Sequence, residues 1–90
     1  ILPPSGLTAV NMDNGIMISW QPALQENTRE YKIYRYERGT EPKLISFINP
    51  DVSEYLDKSV SDGNLYFYFV SAVNANGKES IPSNEIGIRR

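Results

Sequence analysis

Four carboxylates, Asp51, Glu54, Asp57 and Asp62, fall close together in the chain, and theirs are the residue types that could do hydrolytic or metal chemistry. A carboxylate pair runs general acid–base chemistry when burial keeps one partner protonated while the other stays ionised, and a D-x-D-x-D loop can cradle calcium. No D-x-D-x-D spacing occurs, and carboxylates flanking a short strand are expected to be solvated turn formers. The chain also has no histidine and no cysteine. That excludes Ser/His and Cys/His nucleophiles, thiolate chemistry, disulfides and imidazole or thiolate metal ligands. The expectation is therefore no catalytic, cofactor-binding or metal-ligating residue, no cofactor and no enzyme activity.

Charge narrows the partners further. Nine basic and 11 acidic residues give a formal net charge of −2, and the two signs are interleaved. Binding to nucleic acid needs a basic stripe to neutralise phosphates, and none is present, so neither nucleic acid nor an anionic membrane surface is an expected partner. No apolar run approaches the roughly 20 residues that span a bilayer, so no membrane insertion is expected.

A second group of residues could bind instead of react. "LYFYFVSAVNANG", Leu65 to Gly77, sets four aromatic rings side by side. In a strand, successive side chains point to opposite faces. Tyr66, Tyr68, Val70 and Ala72 then face a core, and Phe67, Phe69, Ser71 and Val73 face outward.

The elements that must position these residues read as short strands between turns. Alternation of period two runs through "GLTAV" (Gly6 to Val10), "IMISW" (Ile16 to Trp20), "YKIYRY" (Tyr31 to Tyr36), "KLISFI" (Lys43 to Ile48), "EYLD" (Glu54 to Asp57), the aromatic strand, and "IPSNEIGI" (Ile81 to Ile88). Tyr31, Ile33 and Arg35 share one face of the third strand; Lys32, Tyr34 and Tyr36 share the other. "DNG" at Asp13 to Gly15 and Asn76-Gly77 are turn signals. No window shows helical periodicity. Seven short strands with 40% apolar and 22% charged residues fit an all-β, seven-stranded, immunoglobulin-like two-sheet sandwich. Residues 1–90 are expected to form a single domain, with 1–5 as a linker-like lead-in, cut from a longer chain.

The residues also resemble a known family, the fibronectin type III domain, from end to end. The likeness lies in "PPSGLTA", Trp20 followed by Pro22, "YKIYR", "VSDGNLYFYFVSAVN" and "GKESIPSNEI". Within the longest block it rests on Val60, Gly63, Tyr66, Tyr68, Val70, Ala72, Val73 and Asn74. Immunoglobulin domains proper keep a Cys pair and a Trp on the third strand, whereas this chain has no Cys and its Trp on the second. "YKIYR" and "YFVSAVNANGKESIPSNE" are similar to copies in bacterial exported modular proteins, many of them polysaccharide-degrading enzymes.

The resemblance implies that the Tyr66 hydroxyl bonds back to backbone near Val60 to Asp62, and that the third and sixth strands pair. Tyr34 and Tyr36 then lie beside Phe67 and Phe69. The adhesive copies use Arg-Gly-Asp between the sixth and seventh strands; here that loop is "NANGKES", and Arg38-Gly39-Thr40 is expected to be a plain turn.

The expected structural core is Trp20, Tyr31, Ile33, Tyr66, Tyr68, Val70 and Ala72. The expected interaction face is Tyr34, Tyr36, Phe67 and Phe69, with the loops around Gln25 to Arg29 and Asn74 to Lys78 as further contact points. On this face the rings support the sheet, dock a flanking domain or stack on sugars. The implied function is that of a non-catalytic spacer in a secreted or cell-surface multidomain protein, such as a bacterial glycan-processing enzyme. Its partners are flanking domains of the same polypeptide, and the isolated domain is a monomer. The alternative is a protein- or carbohydrate-binding module.

Overall fold

The computed structural model describes residues 1–24 and 27–90, and those residues form seven strands in two sheets with no helix. The strands are β1 (Ser5–Met12), β2 (Gly15–Gln21), β3 (Thr28–Tyr36), β4 (Lys43–Ile48), β5 (Glu54–Asp57), β6 (Leu65–Asn74) and β7 (Ile86–Arg89). One sheet has the order β1-β2-β5 and the other β4-β3-β6-β7. Every ladder is antiparallel.

Alternation along β2, β3 and β6 builds the core between the sheets. Ile16, Ile18 and Trp20 from β2, Tyr31 and Ile33 from β3, and Tyr66, Tyr68, Val70 and Ala72 from β6 are all buried, joined by Leu7 and Ala23. Burying a side chain of this size contributes about 1.5–3 kcal/mol. Trp20 and Tyr31 meet edge to face at 5.5 Å across the sandwich. The Tyr31 hydroxyl accepts the Ala23 N–H at 3.2 Å, so its polar tip is satisfied inside the core. The Tyr66 hydroxyl accepts the Ser61 N–H at 2.8 Å, pinning the β5–β6 loop to the strand that follows it.

Three expectations need correction. The seventh strand is shorter than Ile81 to Ile88, because Pro82 has no amide donor and the ladder forms only over Ile86–Arg89. The preceding segment is instead held to β6 through two serines. Ser80 and Ser83 N–H groups donate to the Ala72 and Val70 carbonyls at 2.8 and 2.7 Å. Their hydroxyls in turn accept the Ala72 and Val70 N–H groups at 2.9 and 3.0 Å. Each serine thus makes the backbone half of a strand pairing with its N–H, while its hydroxyl stands in for the carbonyl of the other half.

The second correction concerns Ser71 and Val73, expected on the open face. Both are buried, since the arm returning from the Asn76-Gly77 turn lies over them, with Glu79 bridged to Val73. The turn itself places positive φ on Gly77 alone, at 85°, and not on Asn76. The Gly77 N–H donates to the Asn74 carbonyl at 2.9 Å, as in a three-residue hairpin loop closed by a glycine bulge.

The third is Asp57, expected to be solvated and in fact wholly buried between the sheets. The Arg35 guanidinium donates to Asp57 Oδ2 at 2.8 Å, and the Tyr68 hydroxyl donates to the same oxygen at 2.7 Å. Ser59 supplies its N–H and hydroxyl to Oδ1 at 3.0 and 2.7 Å. A carboxylate buried with this many donors is a structural anion. Arg35 therefore belongs to the inner face and covers none of the outer aromatic rings; its guanidinium lies 5.1 Å from the Tyr66 ring centre.

β1 and the last segment of the chain run side by side in the same direction. The Asn84 side chain takes the Leu7 N–H at 2.8 Å and donates to the Leu7 carbonyl at 3.1 Å, and further along the Asn11 amide donates to the Arg89 carbonyl at 2.9 Å. These bonds close one side of the sandwich.

Candidate functional site

β3 and β6 are central strands of the four-stranded sheet, and their register puts Tyr34 directly opposite Phe69 and Tyr36 opposite Phe67. Each pair stacks, at 4.9 Å and 17° for the first and 5.0 Å and 18° for the second. The rings are half-buried and turn their flat faces toward each other. Phe67 also lies over Gly87 of β7, where a Cβ would come within 2.9 Å of its ring. Glycine there leaves room for the ring, and the four aromatic residues named from sequence pack as two stacked pairs across β3 and β6.

Glu79, which sequence reasoning did not single out, organises one end of this face. It accepts the Tyr34 hydroxyl at 2.6 Å, the Ser71 hydroxyl at 2.5 Å and the Lys32 ammonium at 3.3 Å. Burial alone would raise its pKa, but the hydrogen bonds from Ser71, Tyr34 and Lys32 outweigh it and hold the carboxyl below its usual range. Burial, and next the bond to Glu79, push the Tyr34 hydroxyl up to about 12. Tyr36 is raised as well, chiefly by a hydrogen bond to Glu85. A signal for Glu79 was present in the chain: counting on from Gly77 along the returning arm of the hairpin sets it beside Val73 of β6.

Phe47 was also missed. It stands opposite Lys32 on the edge strand β4, its ring 5.9 Å from the Lys32 ammonium, and is 59% exposed. Leu44, opposite Tyr34, is 40% exposed. The open apolar surface on this side therefore belongs to β4 more than to the stacked pairs. Its position depends on which strand pairs with β3, and alternation within β4 alone does not reveal that.

Arg38-Gly39-Thr40 is a turn, with Gly39 at φ 80°, the Thr40 N–H on the Glu37 carbonyl at 3.0 Å and the Thr40 hydroxyl on the same oxygen at 2.7 Å. Asp51, Glu54 and Asp62 are exposed, and Asp62 meets Arg90 at 3.3 Å. Among the described residues no three carboxylates are grouped so as to hold a metal ion. An open cleft of about 360 Å³ between Glu37, Arg38, Gly63, Asn64, Leu65 and Arg89 contains no carboxylate pair. Of the loops singled out, Gln25 and Glu26 lie outside the described residues. Asn27 accepts the Ala75 N–H at 3.0 Å, which ties the stretch before β3 to the turn after β6.

Comparison with known proteins agrees with this geometry. The sequence model of the fibronectin type III domain matches residues 2–88. An amylopullulanase of Thermoanaerobacter thermohydrosulfuricus is 34% identical over 93% of the chain, which spans only 6% of that enzyme's length. Protein turtle of Drosophila melanogaster is 29% identical over 87% of the chain and is matched over 5% of its own length. Among solved structures, an Fn3-like protein from Clostridium thermocellum superposes with a TM-score of 0.83 at 30% identity, covering 97% of this chain and 90% of that one. A β-1,2-glucanase from Parabacteroides distasonis gives 0.84 at 26% identity, covering 99% of this chain and 12% of the enzyme.

Proposed function

The chain belongs to the fibronectin type III domain family, and from that premise we propose that it is a non-catalytic structural module. In this reading it spaces, orients or packs against neighbouring domains of an exported multidomain protein, specifically a bacterial glycan-processing enzyme. The observation that carries the reading is where its ionisable side chains are used. Asp57, Arg35, Glu79 and Arg90 are all engaged in bonds within the sandwich. The relatives add support, since an amylopullulanase and a β-1,2-glucanase each contain a segment like this one as a small part of a longer chain.

Geometry suits a spacer. Because β1 and the final segment run in the same direction, the two ends of the chain leave a body of 39 × 26 × 18 Å on opposite sides. A neighbour on either side is then held at a fixed separation. The proposed contact face comprises Phe47 and Leu44 with the margin of the Tyr34, Tyr36, Phe67 and Phe69 cluster. Rings stacked on each other offer edges instead of flat faces, which suits contact with protein better than stacking on sugar.

The test is deletion of the module from its parent enzyme. Activity on polymeric substrate is expected to fall more than activity on short soluble substrates; equal loss on both would overturn the spacing role. The second reading, a glycan-binding module, is favoured by the exposed Phe47 ring alone. It requires that the isolated domain be retarded in affinity electrophoresis by some polysaccharide, and that Phe47→Ala abolish the retardation.

A further inference from the structure

Two Asn-Gly pairs stand at reversals of the chain, Asn14-Gly15 between β1 and β2 and Asn76-Gly77 after β6. We propose that Asn76 is a site of spontaneous covalent modification, its side-chain amide converting to a carboxylate, and that Arg90 shields Asn14 from the same chemistry. In the reaction the Gly77 backbone nitrogen gives its proton to hydroxide and attacks Asn76 Cγ. A nitrogen–Cγ bond forms and the Cγ–Nδ2 bond breaks, with Nδ2 taking a proton from water and leaving as ammonia. Water then opens the resulting succinimide at either carbonyl, giving aspartate or β-linked isoaspartate. The sum is one water consumed and one ammonia released. A following glycine favours attack because it has no Cβ to crowd the nitrogen.

Local structure treats the two pairs differently. Asn76 and Gly77 are both exposed at a hairpin tip, and one backbone bond, Gly77 N–H to the Asn74 carbonyl at 2.9 Å, must open to free the nucleophile. Openings at such tips lie at the low-energy end of the motions of a folded domain. Gly15, by contrast, is buried in the ladder opposite Met12 and packed against the Asp57 carbonyl. The Arg90 guanidinium bonds the carbonyls on both sides of Asn14, Asp13 at 3.2 Å and Gly15 at 3.1 Å, and also the Met12 carbonyl at 2.6 Å. Turning the Gly15 nitrogen onto the Asn14 side chain would break this set. Conversion at Asn76 adds one negative charge in the arm that carries Glu79, and the isoaspartyl form lengthens that arm by one backbone carbon.

The experiment is peptide mapping by mass spectrometry of the 90-residue protein held at mildly alkaline pH. The peptide containing Asn76 is expected to gain the amide-to-acid mass difference on the order of tenfold faster than the peptide containing Asn14. In concentrated urea the two rates should converge, which attributes the difference to the fold without any variant. Arg90→Ala should accelerate conversion at Asn14 severalfold and leave Asn76 unchanged, with circular dichroism verifying that the variant is folded. Equal rates in the folded protein, a persistent difference in urea, or an unchanged Asn14 rate in folded Arg90→Ala would each overturn the proposal.

Discussion

Asp57 takes hydrogen bonds from Arg35 and Tyr68 on the opposite sheet and from Ser59 on its own side. Burial by itself would raise its pKa; the bonds from Tyr68, Ser59 and Arg35 prevail and hold the carboxyl below its usual range. Removing one member of such a set leaves the others desolvated and unpaired. Asp57→Ala is therefore expected to lower the free energy of unfolding by about 3 kcal/mol in urea titration. Arg35→Met with Asp57→Leu should cost much less than the single change, because no buried charge is left behind. At Glu79 the readout is optical. Ultraviolet titration should show Tyr34 ionising near 12 in the parent, and in Glu79→Gln at lower pH, because the carboxylate that disfavours the phenolate has gone. The sign for stability follows: Tyr34's contribution is complete below the usual tyrosine pKa of about 10 and is lost as pH rises through its folded value.

Among the elements, the segment leading into β7 departs most from its sequence reading. Ile81 to Ile88 has the alternation of a strand, yet Pro82 prevents a continuous ladder, and ahead of the Ile86–Arg89 ladder it is Ser80 and Ser83 that bond to β6. Ser83→Ala is expected to cost about 1–3 kcal/mol by leaving the buried Val70 N–H without its acceptor, measured by thermal or urea unfolding. Ser83→Thr, which keeps the hydroxyl, should recover part of the loss. Alternation within one strand separates the inward Tyr31, Ile33, Tyr66, Tyr68, Val70 and Ala72 from the outward Tyr34, Tyr36, Phe67 and Phe69. The pairing of β3 with β6 is implied by the family resemblance, and its register is read from the structure. Alternation could not place Phe47, Glu79 or Asp57. Their surroundings are set by strands distant in sequence, and a carboxylate at a strand end looks the same whether water or an arginine on another sheet faces it.

Taken whole, the molecule joins its two sheets by apolar packing and by the charge-assisted bonds of Asp57, and braces the outer face of one sheet through Glu79; both sets of bonds depend on pH. Asp57 and Glu79 both have folded pKa values below the ordinary carboxylate range. Their contribution is thus fully present above an unfolded pKa of about 4 and disappears as pH falls through the folded values. The melting temperature should be level through neutral pH and drop below about pH 4, and Asp57→Asn should flatten that drop. A melting temperature of the parent that stays level to strongly acidic pH would contradict the assignment of both carboxylates.

The alignment of β1 with the final segment also decides how the domain meets tension. If the ends were drawn apart, β1 would slide along β2, and β7 along β6, so the bonds of each ladder would be strained together instead of peeling one after another. The Asn84 clasp on Leu7 and the Arg90 grip on the β1–β2 turn tie the two loaded ends of the chain to each other. In the proposed spacer role, these bonds would hold the separation of the ends under pull.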